Sequence, residues 1–274
     1  MRATKVLLAS GIVIFAIFFF GAFTRLTDAV DVGGPVALGT FELFGAIACL
    51  YLLSKGRGSE ASVLDWIACA FAILIASVGF AGYSITIFGL YLVFREAGDH
   101  NTKAAGTVAA AVAVQALWAP MIFSKLSFLF LEIDAGVVGW LISQIIPGAS
   151  WSGTVVSTPG GHDVVITAPC ASFHNLSLAS LCWVTLTMLH RPYWVRSDIY
   201  TGLVAVLIQF GFNVWRLTFV CFSLPMYEFW HEGLGKHIFS ALATACAVIF
   251  VQVSLVLRDR RDQQKTKIRV AAIS

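Results

Sequence analysis

Cys170, Arg216 and three histidines, His174, His231 and His237, are the side chains of this sequence whose types and spacing can do covalent chemistry. A cysteine becomes a nucleophile at neutral pH when a helix terminus or a neighbouring cation favours its thiolate, and it then needs a proton carrier, a task suited to histidine. Cys170 follows Pro169 and opens an apolar helical run, so the positive end of a helix dipole falls on it. The other five cysteines, Cys49, Cys69, Cys182, Cys221 and Cys246, lie within apolar runs and read as small hydrophobes. No two of the six form a C-x-x-C pair, so neither a disulfide framework, a zinc knuckle nor a quinone-linked thiol oxidase is indicated.

Arg216 stands inside the apolar run Ile199 to Phe222, and an arginine in a spanning helix is costly enough to be functional by default. Counted from Ile199 the chain has risen roughly 26 Å at Arg216, which places the guanidinium near the far end of that helix. Snorkelling to the headgroups is the alternative use of such a residue. Asn213, three residues earlier, shares the helix face and can hydrogen-bond or orient the guanidinium. His174 falls one turn after Cys170 on the same helical face, so spacing alone permits it as the partner. His231 sits in Tyr227-Glu228-Phe229-Trp230-His231-Glu232-Gly233-Leu234-Gly235, where aromatics suit a membrane interface and glycines allow close backbone approach, and His237 begins the last helix. These residues predict attack of a thiolate on a carbonyl, with Arg216 steadying the thiolate or the oxyanion. That chemistry calls for no metal and no organic cofactor.

The elements that must hold these residues are membrane helices. The 274 residues are 58% hydrophobic and 12% charged with a mean hydropathy of +0.84, well outside the soluble range, so the lipid bilayer is the expected surrounding. Apolar runs at Val6 to Phe23, Val36 to Leu53, Ala104 to Phe123, Ala171 to Leu189, Ile199 to Phe222 and Ile238 to Leu257 each approach the length that crosses a bilayer. The first reads as a retained helix, because Phe18, Phe19 and Phe20 stand where a signal peptide needs small residues. Val63 to Phe94 fits either two helices or one tilted helix, and Leu126 to Ile146, with Glu132 and Asp134, either lies in the interface or spans. Both pairings predict an all-α polytopic membrane protein of about eight transmembrane helices, with the two termini on one side. The expected organisation is a set of N-terminal helices over 1–103, a membrane core over 104–257 and a basic tail over 258–274.

Basic residues orient this frame. The tail carries Arg258, Arg260, Arg261, Lys265, Lys267 and Arg269, and the loop after the Cys170 helix carries Arg191 and Arg196, which predicts a cytoplasmic location for both. Trp151 to Pro169 has no Lys or Arg, and Leu224 to Lys236 has only Lys236, so both face outward. Because the net charge of +3 comes largely from the tail, no nucleic-acid partner is inferred. In the outer stretch, two β-branched runs flank Pro159-Gly160-Gly161, predicting a short outer-face β-hairpin that delivers Cys170 to the membrane surface.

In order, spacing and sidedness the chain resembles the exosortase and archaeosortase family, whose core is an outer-face cysteine, an Asn-x-x-Arg in the next helix and a histidine before the last. The corresponding residues are Ala168-Pro169-Cys170-Ala171-Ser172, Asn213-Val214-Trp215-Arg216 and His231-Glu232-Gly233-Leu234-Gly235, within a stretch from about Ala104 to Leu257. In that family a glycine typically follows the histidine by four residues, which favours His231 over His237. After the cysteine, family members continue Ser-Gly, an apolar residue and Arg, whereas this chain reads Ala171-Ser172-Phe173-His174-Asn175, the pattern of a divergent member in which His174 is a candidate substitute. The resemblance implies a membrane-embedded cysteine endopeptidase or transpeptidase at the outer, periplasmic face of the inner (cytoplasmic) membrane. Its substrates would be secreted proteins with a C-terminal hydrophobic helix and basic tail, often in company with exopolysaccharide production. The competing class is a non-enzymatic transporter or exopolysaccharide-export component, which needs a polar path across the membrane; the main deeper polar residues are Glu42 and Gln209.

Overall fold

Long apolar runs with few interruptions satisfy their backbone polar groups internally as helices, and helices make up nearly all the regular structure here. The computed structural model describes residues 2–30, 39–57 and 60–271. Among the described residues ten α-helices follow one another: α1 (Ala3–Val30), α2 (Thr40–Lys55), α3 (Val63–Ser77), α4 (Ala81–Phe94), α5 (His100–Ala113), α6 (Ala119–Ile145), α7 (Ser172–His190), α8 (Arg196–Val220), α9 (Leu224–Tyr227) and α10 (Leu234–Ala271). The start of the Val36 to Leu53 run lies outside the described residues.

Among the described residues four helical stretches are long and apolar enough to cross a membrane: Ala3–Gly21, His100–Ile145, Arg196–Val220 and Leu234–Arg261. Val63 to Phe94 divides into two helices of 15 and 14 residues at a turn where Gly79 takes φ +94°, a conformation that disfavours any residue with a Cβ. Each half is shorter than the ~20 residues of an upright crossing. Leu126 to Ile146 does not stand apart as a separate surface helix. It is the greater part of α6, which continues from α5 through a π-helical turn at Val114–Trp118 and bends at Leu126.

The chain packs as two compact units, Met1–Trp118 with Val184–Asp198, and Ala119–Trp183 with Ile199–Ser274. In the first, α4 and α5 touch backbone to backbone through paired glycines. A Cβ on Gly106 would stand 2.7 Å from the Gly89 carbonyl, and one on Gly89 would stand 2.8 Å from the Ala110 nitrogen. Small residues at such a crossing let dispersion replace the hydrophobic drive that lipid does not supply. Ser62 and Asp65 form a capping box at the start of α3, and the same Asp65 carboxylate takes Arg95 Nε and the Tyr91 hydroxyl, each at 2.6 Å.

The second unit holds the residues singled out for chemistry. Three short strands, β1 (Ser150–Ser152), β2 (Val155–Ser157) and β3 (Asp163–Val165), form an antiparallel meander with Trp151 opposite Val156 and Val156 opposite Val164. The two expected arms are β2 and β3, with Pro159, Gly160 and Gly161 in the turn, and β1 adds a third strand. Alternation turns Val156 and Val164 inward, onto Ala135, Val138 and Ile142 of α6 and Val214 and Leu217 of α8. Trp151 lies against Gly139, where a Cβ would stand 2.6 Å from the indole side chain. Helices α8 and α10 run antiparallel: Arg258 Nη2 donates to Thr201 Oγ1 at 3.1 Å at one end, and Phe239 packs on Phe212 and Trp215 towards the other.

Candidate active site

Cys170 ends a single 3-10 turn, Ala168–Cys170, between β3 and α7. Ile166 N donates to Thr154 O at 2.8 Å, so the sheet fixes where the chain leaves it; Pro169 presets the turn, and Cys170 N donates to Thr167 O at 2.8 Å. The cysteine is 3% exposed, packed among Val214, Leu217 and Cys221. Ala171 then takes an extended conformation, φ −60° and ψ 139°, before α7 begins at Ser172. Cys170 and His174 therefore do not belong to one helix, and the same-face relation expected from their spacing of four does not form. No hydrogen bond joins the two among the described residues.

His231 meets the thiol instead. Its Nε2 lies 3.0 Å from Cys170 Sγ, within hydrogen-bond range for sulfur. The histidine belongs to a π-helical turn, Glu228–Glu232, closed by Gly233 N donating to Glu228 O at 2.8 Å. Such turns push one residue out of helical register and are frequent where a side chain must be aimed. A Cβ on Gly235 would lie 2.7 Å from the Phe229 carbonyl and 2.6 Å from the Trp230 ring, so the chain can fold back only with glycine there. The Tyr227 ring stacks on the imidazole at 4.7 Å and 19°. Nδ1 of His231 is buried without a hydrogen-bond partner among the described residues. Burial first, and then the positive charges of Arg216 and Lys236, hold the imidazole below its ordinary range, with Glu232 opposing them.

Asn213 joins the remaining groups. Its Nδ2 donates to the Cys170 carbonyl at 3.0 Å and to Ser172 Oγ at 2.9 Å, while its Oδ1 accepts from Arg216 Nη2 at 3.1 Å. The three-residue spacing on α8 thus does what the helix geometry predicts, with Asn213 orienting the guanidinium. Arg216 is within electrostatic reach of Cys170, and its Nε is buried without a hydrogen-bond partner among the described residues. A cavity of about 220 Å³ opens beside these groups, lined by His174, Gln209, Asn213, Arg216, Lys236 and His237 among others. His174 and His237 are therefore neighbours of the site, on the cavity wall rather than at the sulfur. A second, mainly apolar cavity of about 290 Å³ shares Pro169, Ala171 and His174 with the first and is lined by Phe123 and Phe173.

Two contributors escaped the sequence reading. Asp134, 2% exposed, accepts both the backbone hydrogen and the hydroxyl hydrogen of Ser172, at 2.8 and 2.7 Å; the signal that could have found it is a carboxylate in an apolar run. Tyr227 had no signal beyond its aromatic type. His162 lies within 3.0 Å of the Val220 carbonyl through Nε2, tying the β2–β3 turn to the end of α8.

A buried thiol against an imidazole, with an oriented guanidinium nearby and a cavity alongside, can carry out nucleophilic attack and proton return at one centre. No family model, curated protein or solved structure matches this chain.

Proposed function

We propose that this chain is a membrane-embedded cysteine endopeptidase or transpeptidase that processes C-terminal sorting signals of secreted proteins at the outer face of the cytoplasmic membrane. The observation that carries the reading is the 3.0 Å approach of Cys170 Sγ to His231 Nε2, made by residues 61 positions apart. The family resemblance of the three motifs supplies the substrate class, and about eight crossings supply the frame.

The steps follow from the groups present. His231 Nε2 takes the Cys170 thiol proton, and the thiolate attacks the scissile carbonyl carbon. Arg216, oriented by Asn213, faces the charge that develops on the carbonyl oxygen. The C–N bond breaks, the imidazolium gives its proton to the departing amine, and a thioester joins the substrate to Cys170. Water or an acceptor amine then attacks the thioester, His231 takes its proton, and the thiolate leaves and recovers that proton. Holding enzyme and substrate helix in one bilayer raises their encounter without any further contact.

The test is the length of a candidate substrate's C-terminus, read by mass spectrometry in cells with equal amounts of each variant. Cys170→Ser is expected to accumulate normally and to abolish cleavage, since a hydroxyl lacks a comparably accessible anion. Arg216→Lys is expected to lose at least tenfold, about 1.4 kcal/mol in the barrier, because an ammonium keeps the charge but not the planar fork. A transporter forms no bond to sulfur and would tolerate Cys170→Ser; a wild-type product in that variant sinks the protease reading.

A further inference from the structure

Arg216 is not held by Asn213 alone. Behind Asn213 stands Ser172, and behind Ser172 stands the buried carboxylate of Asp134 on α6. We propose that Asp134 is a positioning residue of this site, one that holds the Cys170 turn and the Arg216 guanidinium through Ser172 and Asn213. The inference rests on reading Cys170 as the nucleophile.

The argument is one of hydrogen-bond direction. The Cys170 carbonyl can only accept, so Asn213 must face it with Nδ2; Arg216 can only donate, so Asn213 must face it with Oδ1. Nδ2 therefore also faces Ser172 Oγ, and the hydroxyl has to receive that hydrogen and send its own elsewhere. It sends it to Asp134 Oδ1 at 2.7 Å, while Asp134 Oδ2 accepts the Ser172 backbone hydrogen at 2.8 Å. Both contacts need an acceptor, and a carboxylate is the side chain that offers two. An amide at position 134 satisfies one only: with its oxygen on the Ser172 N–H, the hydroxyl hydrogen has no acceptor, and with its oxygen on the hydroxyl, two N–H donors face each other. Either way a donor buried among groups 2–4% exposed loses its partner, next to the peptide that carries Cys170. The placement also sets a carboxylate at the first residue of α7 and within electrostatic reach of Arg216.

The test uses the purified full chain in lipid nanodiscs, with iodoacetamide as the probe and the alkylation rate of Cys170 followed by mass spectrometry. Wild type is expected to react much faster than His231→Ala, which establishes the Cys–His pair without any substrate. Asp134→Asn and Ser172→Ala are each expected to slow the reaction by about tenfold. The double variant is expected to be no slower than the slower single one, because both break one chain. Ser172→Thr, which keeps the hydroxyl, is expected to recover most of the rate, a result that a loss of packing would not give. Should Asp134→Asn fail to accumulate, the contrast between Ala and Thr at position 172 decides the matter. Wild-type rates in Asp134→Asn, multiplicative slowing in the double variant, or a Thr as slow as Ala would each overturn the role of Asp134 and leave the Cys–His pair standing. Equal rates in wild type and His231→Ala would overturn both.

Discussion

His231 touches Cys170 through its edge and Tyr227 through its face, and the two contacts act on different states of the ring. In the proposed mechanism the edge contact serves the neutral imidazole, which would accept the thiol proton. The face contact serves the imidazolium, since a cation over an aromatic ring gains about 0.5–1 kcal/mol. Burial and the charges of Arg216 and Lys236 pull the other way and keep the resting ring neutral to lower pH than the ordinary histidine value of 6.5. The acidic limb of the cleavage-rate profile is therefore expected below pH 6.5, where an ordinary histidine would already be half protonated. Removing a positive neighbour stabilises the protonated form, so Lys236→Ala should move that limb to higher pH, and Glu232→Gln should move it lower; initial rates across a pH series read both shifts. A limb unmoved by either change would mean that another group limits the rate. Among the histidines, His231→Ala should cost about 100-fold or more in turnover, whereas His174→Ala and His237→Ala should cost far less, because they line the cavity rather than face the sulfur. Processing lost in His174→Ala but kept in His231→Ala would make His174 the proton carrier and overturn the assignment to His231.

Two short irregular elements, rather than the long helices, aim the groups. The 3-10 turn at Ala168–Cys170 and the π-helical turn at Glu228–Glu232 each depart from α geometry by one hydrogen-bond register, one tighter and one wider. The π turn has no room for a side chain at Gly235, and forcing one in displaces the backbone that carries His231. Gly235→Ala is expected to destabilise this turn by about 1–3 kcal/mol. Activity should fall well before the amount of protein in the membrane does, because α10 continues unchanged beyond the turn. Cleavage per molecule equal to wild type would show that the turn tolerates the methyl group and that its glycine has no part in aiming the histidine.

Across the whole molecule, the decisive quantity is sidedness. Arg258 on α10 reaches Thr201 on α8, so the basic residue that opens the tail lies at one end of this helix pair, and Cys170, Arg216 and His231 gather towards the other. If positive charge stays on the cytoplasmic side, as the proposed function has it, the thiol is expected at the outer face. A thiol reagent that cannot cross membranes should label Cys170 from outside in intact cells, slowly given its burial, and a reporter fused after Arg258 should behave as cytoplasmic. Labelling of Cys170 only after the inner face is opened would reverse the orientation and with it the class of substrate.

The sequence by itself determined the helical character, the apolar runs long enough to cross a membrane and the choice of candidate groups for the proposed chemistry, because apolar run length and the cost of an arginine in lipid are local properties of the chain. It located the β-branched arms before Cys170 and the Asn213–Arg216 pair, whose spacing of three is enough to bring them together on one helix. Its own residues left three histidines in contention. Only the tertiary structure set His231 against Cys170, through an extended Ala171 and a π turn that no periodicity announces. Only the tertiary structure, too, turned Asp134 from a polar residue in an apolar run into the acceptor behind Ser172. Those two pairings join residues 61 and 38 positions apart, and packing alone decides which distant groups meet.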